Sequence, residues 1–357
     1  MWPWLGTPAN ASSRHQFGRA ARQALELARE QVAQAVNAHA SQVVFTSGGT
    51  EADNLAIRGI CATFKPGRLA VSAIEHPAVM KPAQALQHQG WILEKIAAGK
   101  SGEVSLPSLG SILKQPTALV SVMLYNNETG VLQPVARMAE LARAQGALFH
   151  TDAVQALGKT RLDFAALGVH AMSVSGHKIG GPQGTGALVV DKRIDMRPLL
   201  HGGGQEKGRR SGTENIAAIV GFGAACALLQ RAGQPDAALR DSLEAGLTQQ
   251  GAVIFGAEAQ RLPNTCFFAI PGIDGETLVM ALDRAGFAVA SGSACSSDSS
   301  DPSPVLLAMG VPPELAQGAV RVSLGPDNTR QEVHDFLEEL RGSVARMQQM
   351  TAIAAQG

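Results

Sequence analysis

Four stretches of this 357-residue chain carry side chains whose types and spacing suit chemistry. In SGHKIGGPQG, Lys178 stands between His177 and a glycine-rich turn, where an amine can be desolvated and can form a Schiff base. After ALFHT comes Asp152, with Gln155 following in DAVQ. A carboxylate at a strand end either caps a helix or holds a protonated heterocyclic nitrogen. In SGGTEADN, glycines free the backbone and Thr50 opens a helix whose first amides suit a phosphate. In ASGSACSSDSS, Cys295 lies among serines, glycines and alanines, so its thiol is accessible and free to move, as a nucleophile must be. Each stretch also has an ordinary alternative: a turn lysine, a helix cap, a plain strand-to-helix turn, an incidental thiol. Cys61, Cys226 and Cys266 differ, because NLAIRGICATF, AAIVGFGAACALL and TCFFAI are apolar settings in which cysteine packs as a small hydrophobe.

These residues must be positioned by an alternation of strands and helices. QVVFTS (42–47), RLAVSAI (68–74), TALVSVMLY (117–125), ALFHTD (147–152), AMSVSG (171–176) and GALVVD (186–191) read as buried strands. Helical patterns lie between several of them, including one with Leu25, Ala28, Val32 and Ala35 on one face and another after Pro134. The fold class expected is α/β with a mostly parallel sheet, whose ligands gather at the carboxyl ends of the strands. A change of texture at QRAGQPDAAL divides a large domain, 1–234, from a smaller α+β domain, 235–357. The second contains the short strands AVIFG, NTCFFAI and AVRVSLG and a long amphipathic helix from about Thr329 to Met350. AVQALGKT (153–160) imitates a nucleotide loop, but its loop lacks glycines to wrap a phosphate.

Composition narrows the partners. Lys+Arg number 30 and Asp+Glu 30, and no run of like charge marks a nucleic-acid or membrane face, so a small-molecule partner is expected. The start, MWPWLGTPANASS, lacks the basic and apolar regions of a signal peptide, and no segment approaches the ~18 apolar residues of a membrane span. A cytoplasmic location is expected. The cysteines show no CxxC spacing, so neither a disulfide framework nor a metal site is expected.

An amine, a carboxylate for a ring nitrogen and donors for a phosphate are the parts that pyridoxal 5'-phosphate requires. SGGTEADN, EHPAV, NNETGV, DAVQ, SGHKIGGPQGTGAL, HGGGQEKGRRSGTEN, SGSACSS and AVRVSLG, in this order, resemble the NifS/IscS-type cysteine desulfurases, fold-type I pyridoxal-phosphate enzymes of the class V aminotransferase family. The resemblance runs from about Asn10 to the last helix. It implies that Lys178 carries the cofactor and later shuttles a proton, that Asp152 pairs with the pyridinium, and that His76 stacks on the ring and moves protons. Gln155 would bond the phenolic oxygen, and Asn127 would lie between cofactor and substrate. Gly49, Thr50, Ser175, His177 and Thr213 would hold the phosphate, with Thr213 supplied across a homodimer interface. Arg321 would grip the carboxylate of L-cysteine. Cys295 would take the substrate sulfur as a persulfide, leaving L-alanine, and carry it to a protein acceptor such as a cluster scaffold or sulfur carrier, where it can meet an iron-sulfur cluster. The loop around it is expected to be mobile.

The chain departs from the family pattern in places. Relatives carry an Asp-x-x-Ala-Thr-Thr-Pro motif ahead of the stretch that appears here as NASSRH (10–15), and that motif is expected upstream of Met1, a shortened paralog acting as a binding partner being the alternative. Ala11 replaces the usual proline, and Pro326 stands where a basic residue is common. Selenocysteine lyase and other class V activities share the cofactor chemistry.

Overall fold

The computed structural model describes residues 1–7, 10–229, 236–292 and 301–354. The chain divides into two compact units, the first comprising Met1–Ile96, Ser105–Tyr125 and Gln133–Gln234, the second Ala97–Val104, Asn126–Leu132 and Pro235–Gly357.

The first unit is built on a seven-stranded sheet of β1 (Val43–Thr46), β2 (Arg68–Ser72), β3 (Ile92–Ile96), β4 (Leu119–Ser121), β5 (Leu148–Asp152), β6 (Ala171–Ser175) and β7 (Gly186–Val190), in the order β1-β7-β6-β5-β4-β2-β3. Strands β3, β2, β4, β5 and β6 run parallel, while β7 is antiparallel to both of its neighbours. Helices on the sheet explain why β1, β6 and β7 are buried at every residue and read as unbroken apolar or small-residue runs. Helix α1 (Gln16–Ala35) turns Ala21, Leu25, Ala28 and Val32 inward and packs on the helix Ile216–Leu229. Helix α2 (Gly49–Cys61) packs on β4, β5, β6 and β7 and is buried along most of its length. Helix α3 (Pro77–Gln87) lies against α2 and β2. Ala52, Leu55, Ile57, Leu69, Val71 and Leu188 share one apolar cluster beneath them.

The six strands expected in this region all form, each trimmed by a residue or more at its ends. Strand β3 was not anticipated. It is the sheet edge, Ile92 is half exposed, and Glu94 and Lys95 interrupt its apolar pattern, as edge strands require.

The second unit has a four-stranded antiparallel sheet of β8 (Val253–Ile254), β9 (Thr265–Ala269), β10 (Ala290–Ser291) and β11 (Ala319–Ser323), in the order β10-β11-β9-β8. Helices Ala238–Gln249, Gly275–Arg284 and Arg330–Ala354 enclose a core that includes Leu243, Phe268, Leu278, Val320, Phe336 and Leu340. Among the described residues no helix is long and apolar enough to cross a membrane.

Candidate active site

Asp152 ends β5, at the carboxyl edge where a parallel sheet presents its ligand-binding groups. Its Oδ1 accepts from the amide of Val154 at 2.9 Å, which fixes the carboxyl where the chain leaves the strand. Burial pushes its pKa up, against the opposing pull of the Val154 amide, the Asp53 carboxyl and the Lys178 charge. Below it runs a buried polar row. Ser121 of β4, His150 of β5 and Ser173 of β6 are joined by His150 Nδ1 to Ser121 Oγ at 2.9 Å and His150 Nε2 to Ser173 Oγ at 2.9 Å. Burial lowers the His150 pKa to about 3, so the ring is neutral.

Lys178 lies in the short 3-10 helix Gly176–Ile179 that follows β6. That helix can end at once because Gly180 adopts φ 73°, a left-handed conformation that favours glycine, so the lysine is offered on a tight exposed turn. Its ammonium acts on Asp152, His76 and His177 together, which gathers these four groups in one electrostatic neighbourhood. His76 is the N-cap of α3, its Nδ1 accepting from the Ala78 amide at 3.0 Å. With Nδ1 committed as an acceptor, the neutral ring carries its proton on Nε2. Burial first, and Lys178 second, lower its pKa.

The phosphate candidates lie nearby in the fold. Gly48 precedes α2 at φ 152°, ψ 179°, a region reserved for glycine, and no side chain caps the first turn of α2. The amides opening that helix, at Gly49 and Thr50, therefore remain available to an anion. A Cβ on Gly49 would come within 2.7 Å of Val154 Cγ2, so the helix start and the Asp152 turn pack without room for a side chain. Ser175 Oγ and His177 Nδ1 are hydrogen-bonded at 2.7 Å. Thr213 is exposed in a loop tied down just before it, with Arg210 Nε donating to Glu51 Oε1 at 2.9 Å and the Gly212 amide donating to Gln205 Oε1 at 2.9 Å. Gln155 accepts from Lys159 Nζ at 2.6 Å, so the lysine of the nucleotide-loop imitation serves as its partner.

Asn127 and Arg321 belong to the second unit. Arg321 Nη1 donates to the Asn127 carbonyl at 2.7 Å, and Asn127 is buried. Between them in sequence and charge is Glu128, whose carboxylate accepts from Ser303 Oγ. Burial raises its pKa to about 7, with Ser303 and Arg321 opposing the rise. Cys295 lies outside the described residues.

Sequence reasoning missed Asp53, Glu75, Glu128 and His150. A signal existed for His150: it stands two residues before Asp152, on the same face of β5. Asp53 falls among the apolar and small residues on the buried side of α2, next to Ala52, Leu55, Ala56 and Ile57.

Comparison with known proteins decides the family. The model of the family described as aminotransferase class-V matches residues 5–336. The chain belongs to that family. It is 41% identical over 360 residues to a cysteine desulfurase of Enterobacter agglomerans, covering 98% of this chain and 90% of the relative. It is 40% identical over 351 residues to the cysteine desulfurase NifS of Azotobacter vinelandii, covering 96% and 87%. A solved structure described as a NifS-like protein superposes with TM-score 0.89 at 35% identity, covering 96% of this chain and 93% of that one. The class V fold is that of fold-type I pyridoxal-phosphate enzymes, and the mixed seven-stranded sheet found here agrees with it.

Proposed function

We propose that this chain is a pyridoxal 5'-phosphate-dependent cysteine desulfurase, converting L-cysteine to L-alanine and passing the sulfur to Cys295 as a persulfide. The observation that carries the reading is the buried Asp152 at the end of β5, under the charge of Lys178 and beside the uncapped first turn of α2. That donor set fits a phosphorylated pyridine aldehyde: an amine for the aldehyde, an anion for the ring nitrogen, and amides with Ser175 and His177 for the phosphate. When bound, pyridoxal phosphate supplies a carbonyl for the substrate amine and an electron-poor ring that accepts the pair released at Cα.

The chain's own residues do the rest. Lys178 would hold the cofactor through its amine and would move the proton at Cα. Asp152 keeps the ring nitrogen protonated. His76, fixed by its cap bond and neutral, stacks on the ring and offers Nε2–H as a proton relay. Gln155 orients the phenolic oxygen and Asn127 separates cofactor from substrate. Arg321, already directed by its bond to the Asn127 carbonyl, grips the substrate carboxylate. The Cys295 thiolate then forms an S–S bond with the substrate sulfur as the C–S bond breaks. The C–S electron pair stays with carbon, which is protonated to give L-alanine.

The same reading makes the protein a cytoplasmic homodimer with Thr213 entering the partner's phosphate site, its 1–234 portion binding cofactor and its 235–357 portion carrying the cysteine. The persulfide is passed to a protein acceptor such as a cluster scaffold or sulfur carrier. The test is alanine release from L-cysteine and from L-selenocysteine by reconstituted protein and by Cys295→Ala. Cysteine turnover is expected to vanish in the variant while selenocysteine turnover persists. Intact cysteine turnover with loss of selenocysteine turnover alone overturns the persulfide role.

A further inference from the structure

Beneath the candidate ring-nitrogen partner lies a second carboxyl for which the proposed reaction has no use. Asp53 is 1% exposed and is the one carboxyl among the buried residues of α2, where Ala52, Leu55, Ala56 and Ile57 are its neighbours. It stands within hydrogen-bonding reach of the Asp152 carboxyl and of Ser173. Its Oδ1 has no hydrogen-bond partner and lies 3.6 Å from His150 Nε2.

Among the described residues no cation compensates Asp53. His150 is neutral, held between Ser121 and Ser173. Glu75, the other acidic group acting on it, accepts from Ser72 Oγ and from the Met123 amide at 2.8 Å and is itself driven toward its neutral form by burial. Lys178 acts on Asp152 rather than on Asp53. Two carboxyls in hydrogen-bonding reach within a dry interior do not both ionise, since the second, unpaired charge would be buried without compensation. The proton belongs on the one without a cation. An un-ionised carboxyl is a donor, and among the described residues that act on Asp53 the acceptor that also needs a negative charge is Asp152.

We propose that Asp53 is a positioning residue: it stays a neutral carboxylic acid and donates its O–H to the Asp152 carboxylate, so that a single negative charge, on Asp152, faces the ring nitrogen of the cofactor. The inference rests on the pyridoxal reading for the identity of that ring, but the protonation of Asp53 is a property of the protein alone. The arrangement orients Asp152 from behind, the Val154 amide holding its other flank. It also makes the carboxyl of Asp53 replaceable by any neutral donor of the same shape.

Infrared difference spectra of the cofactor-free protein, wild type minus Asp53→Asn, test the first part. The carbonyl stretch of an un-ionised carboxylic acid, shifted by deuterium exchange, is expected in the wild type and absent from the variant. Its absence from the wild type overturns the proposal whether or not the protein binds pyridoxal phosphate. The second part uses ¹⁵N-pyridoxal phosphate, with the ring-nitrogen shift and cofactor affinity read for wild type, Asp53→Asn and Asp53→Ala. Asp53→Asn, an amide donor, is expected to keep the protonated-ring shift and an affinity within about threefold. Asp53→Ala is expected to move the shift toward the unprotonated ring and to weaken binding roughly ten- to a hundredfold, the range for a lost hydrogen bond to a charged group. Equal losses in the two variants overturn the donor role. If Asp53→Ala does not fold, the infrared arm and Asp53→Asn still decide, a large loss in Asp53→Asn overturning it. If no variant and no wild type binds the cofactor, the pyridoxal reading fails while the infrared result stands.

Discussion

His76 carries two duties that one substitution cannot separate but two can. Its Nδ1 caps α3 by accepting from the Ala78 amide, and its other nitrogen is assigned to proton movement above the cofactor ring. Replacing it with alanine removes both, so His76→Ala is expected to lose about 1 kcal/mol of stability, as N-cap deletions do, together with activity. His76→Asn retains a cap oxygen but no titratable nitrogen. It is expected to unfold within about 0.5 kcal/mol of the wild type while alanine release falls about a hundredfold or more. Urea midpoints and the alanine assay measure the two losses, and an active His76→Asn enzyme returns the histidine to a capping role only. Lys178 differs in kind, because the proposed function gives it the covalent attachment of the cofactor in addition to the charge that opposes the burial shift of Asp152. Lys178→Ala is therefore expected to abolish the visible absorbance of bound cofactor, whereas Asp152→Asn is expected to retain that band, since the amine remains, and to lose turnover. Absorption spectra after reconstitution distinguish them.

At the scale of elements, the start of α2 is held by backbone geometry and the start of β1 by charge. Gly48 sits at φ 152°, ψ 179°, and any side chain there is strained by about 1–3 kcal/mol. Gly48→Ala is expected to shift the denaturation midpoint by that amount and to weaken cofactor binding, because the amides that open α2 move with it. Arg29 of α1 makes a bidentate pair with Glu206, at 2.7 and 2.8 Å, and the same carboxylate accepts from the Phe45 amide of β1 at 2.8 Å. Glu206 and Lys207 hold left-handed φ of 47° and 59° at this junction, which leads on to the loop bearing Thr213. Removing one partner leaves the other charge buried, so Arg29→Ala is expected to cost about 3–5 kcal/mol in unfolding experiments. None of this pairing was legible in the sequence, since the partners are far apart in the chain, Arg29 lies in no motif, and Glu206 sits in HGGGQEKGRRSGTEN with nothing there to point to Arg29. The strands and the glycine turns were legible, because β-branched runs and Gly-Gly steps report local physics. Strand β3 escaped because its pattern answers to solvent, and Asp53 because a motif read for its glycines and threonine hides a carboxylate that matters only once α2 is laid on β5 and β6. Lys178, Asp152 and His76 were found in sequence and share one electrostatic neighbourhood in the fold, whereas Asn127 and Arg321, also found, owe their mutual bond to the second unit.

The whole molecule carries buried ionisable groups whose effects on stability have opposite signs with pH. Glu75 in the first unit is raised by burial from 4.5 to about 8, and Glu128 in the second from 4.5 to about 7. A carboxyl with a raised folded-state pKa binds its proton more tightly in the folded chain, so its contribution is fully present below the ordinary value and is lost as pH rises through the folded one. His150 runs the other way: lowered from 6.5 to about 3, it stabilises the fold above its ordinary value and that contribution is lost as pH falls toward 3. Between pH 4.5 and 6.5 these slopes oppose one another, and from 6.5 to 8 the carboxyls act with the histidine silent. Glu75→Gln preserves the oxygen that accepts from Ser72 and Met123 and removes the titration. The His150 contribution is common to both proteins and cancels in the comparison, so over pH 4.5 to 8 the wild type is expected to lose stability relative to Glu75→Gln by about 1 kcal/mol per pH unit, the slope of one proton. Urea unfolding of both proteins at half-unit pH steps measures it. Curves that run together below pH 4.5 and diverge from there to about 8 are the expected pattern, and parallel curves throughout would mean that Glu75 is ionised in the folded protein, a second anion acting on Asp152.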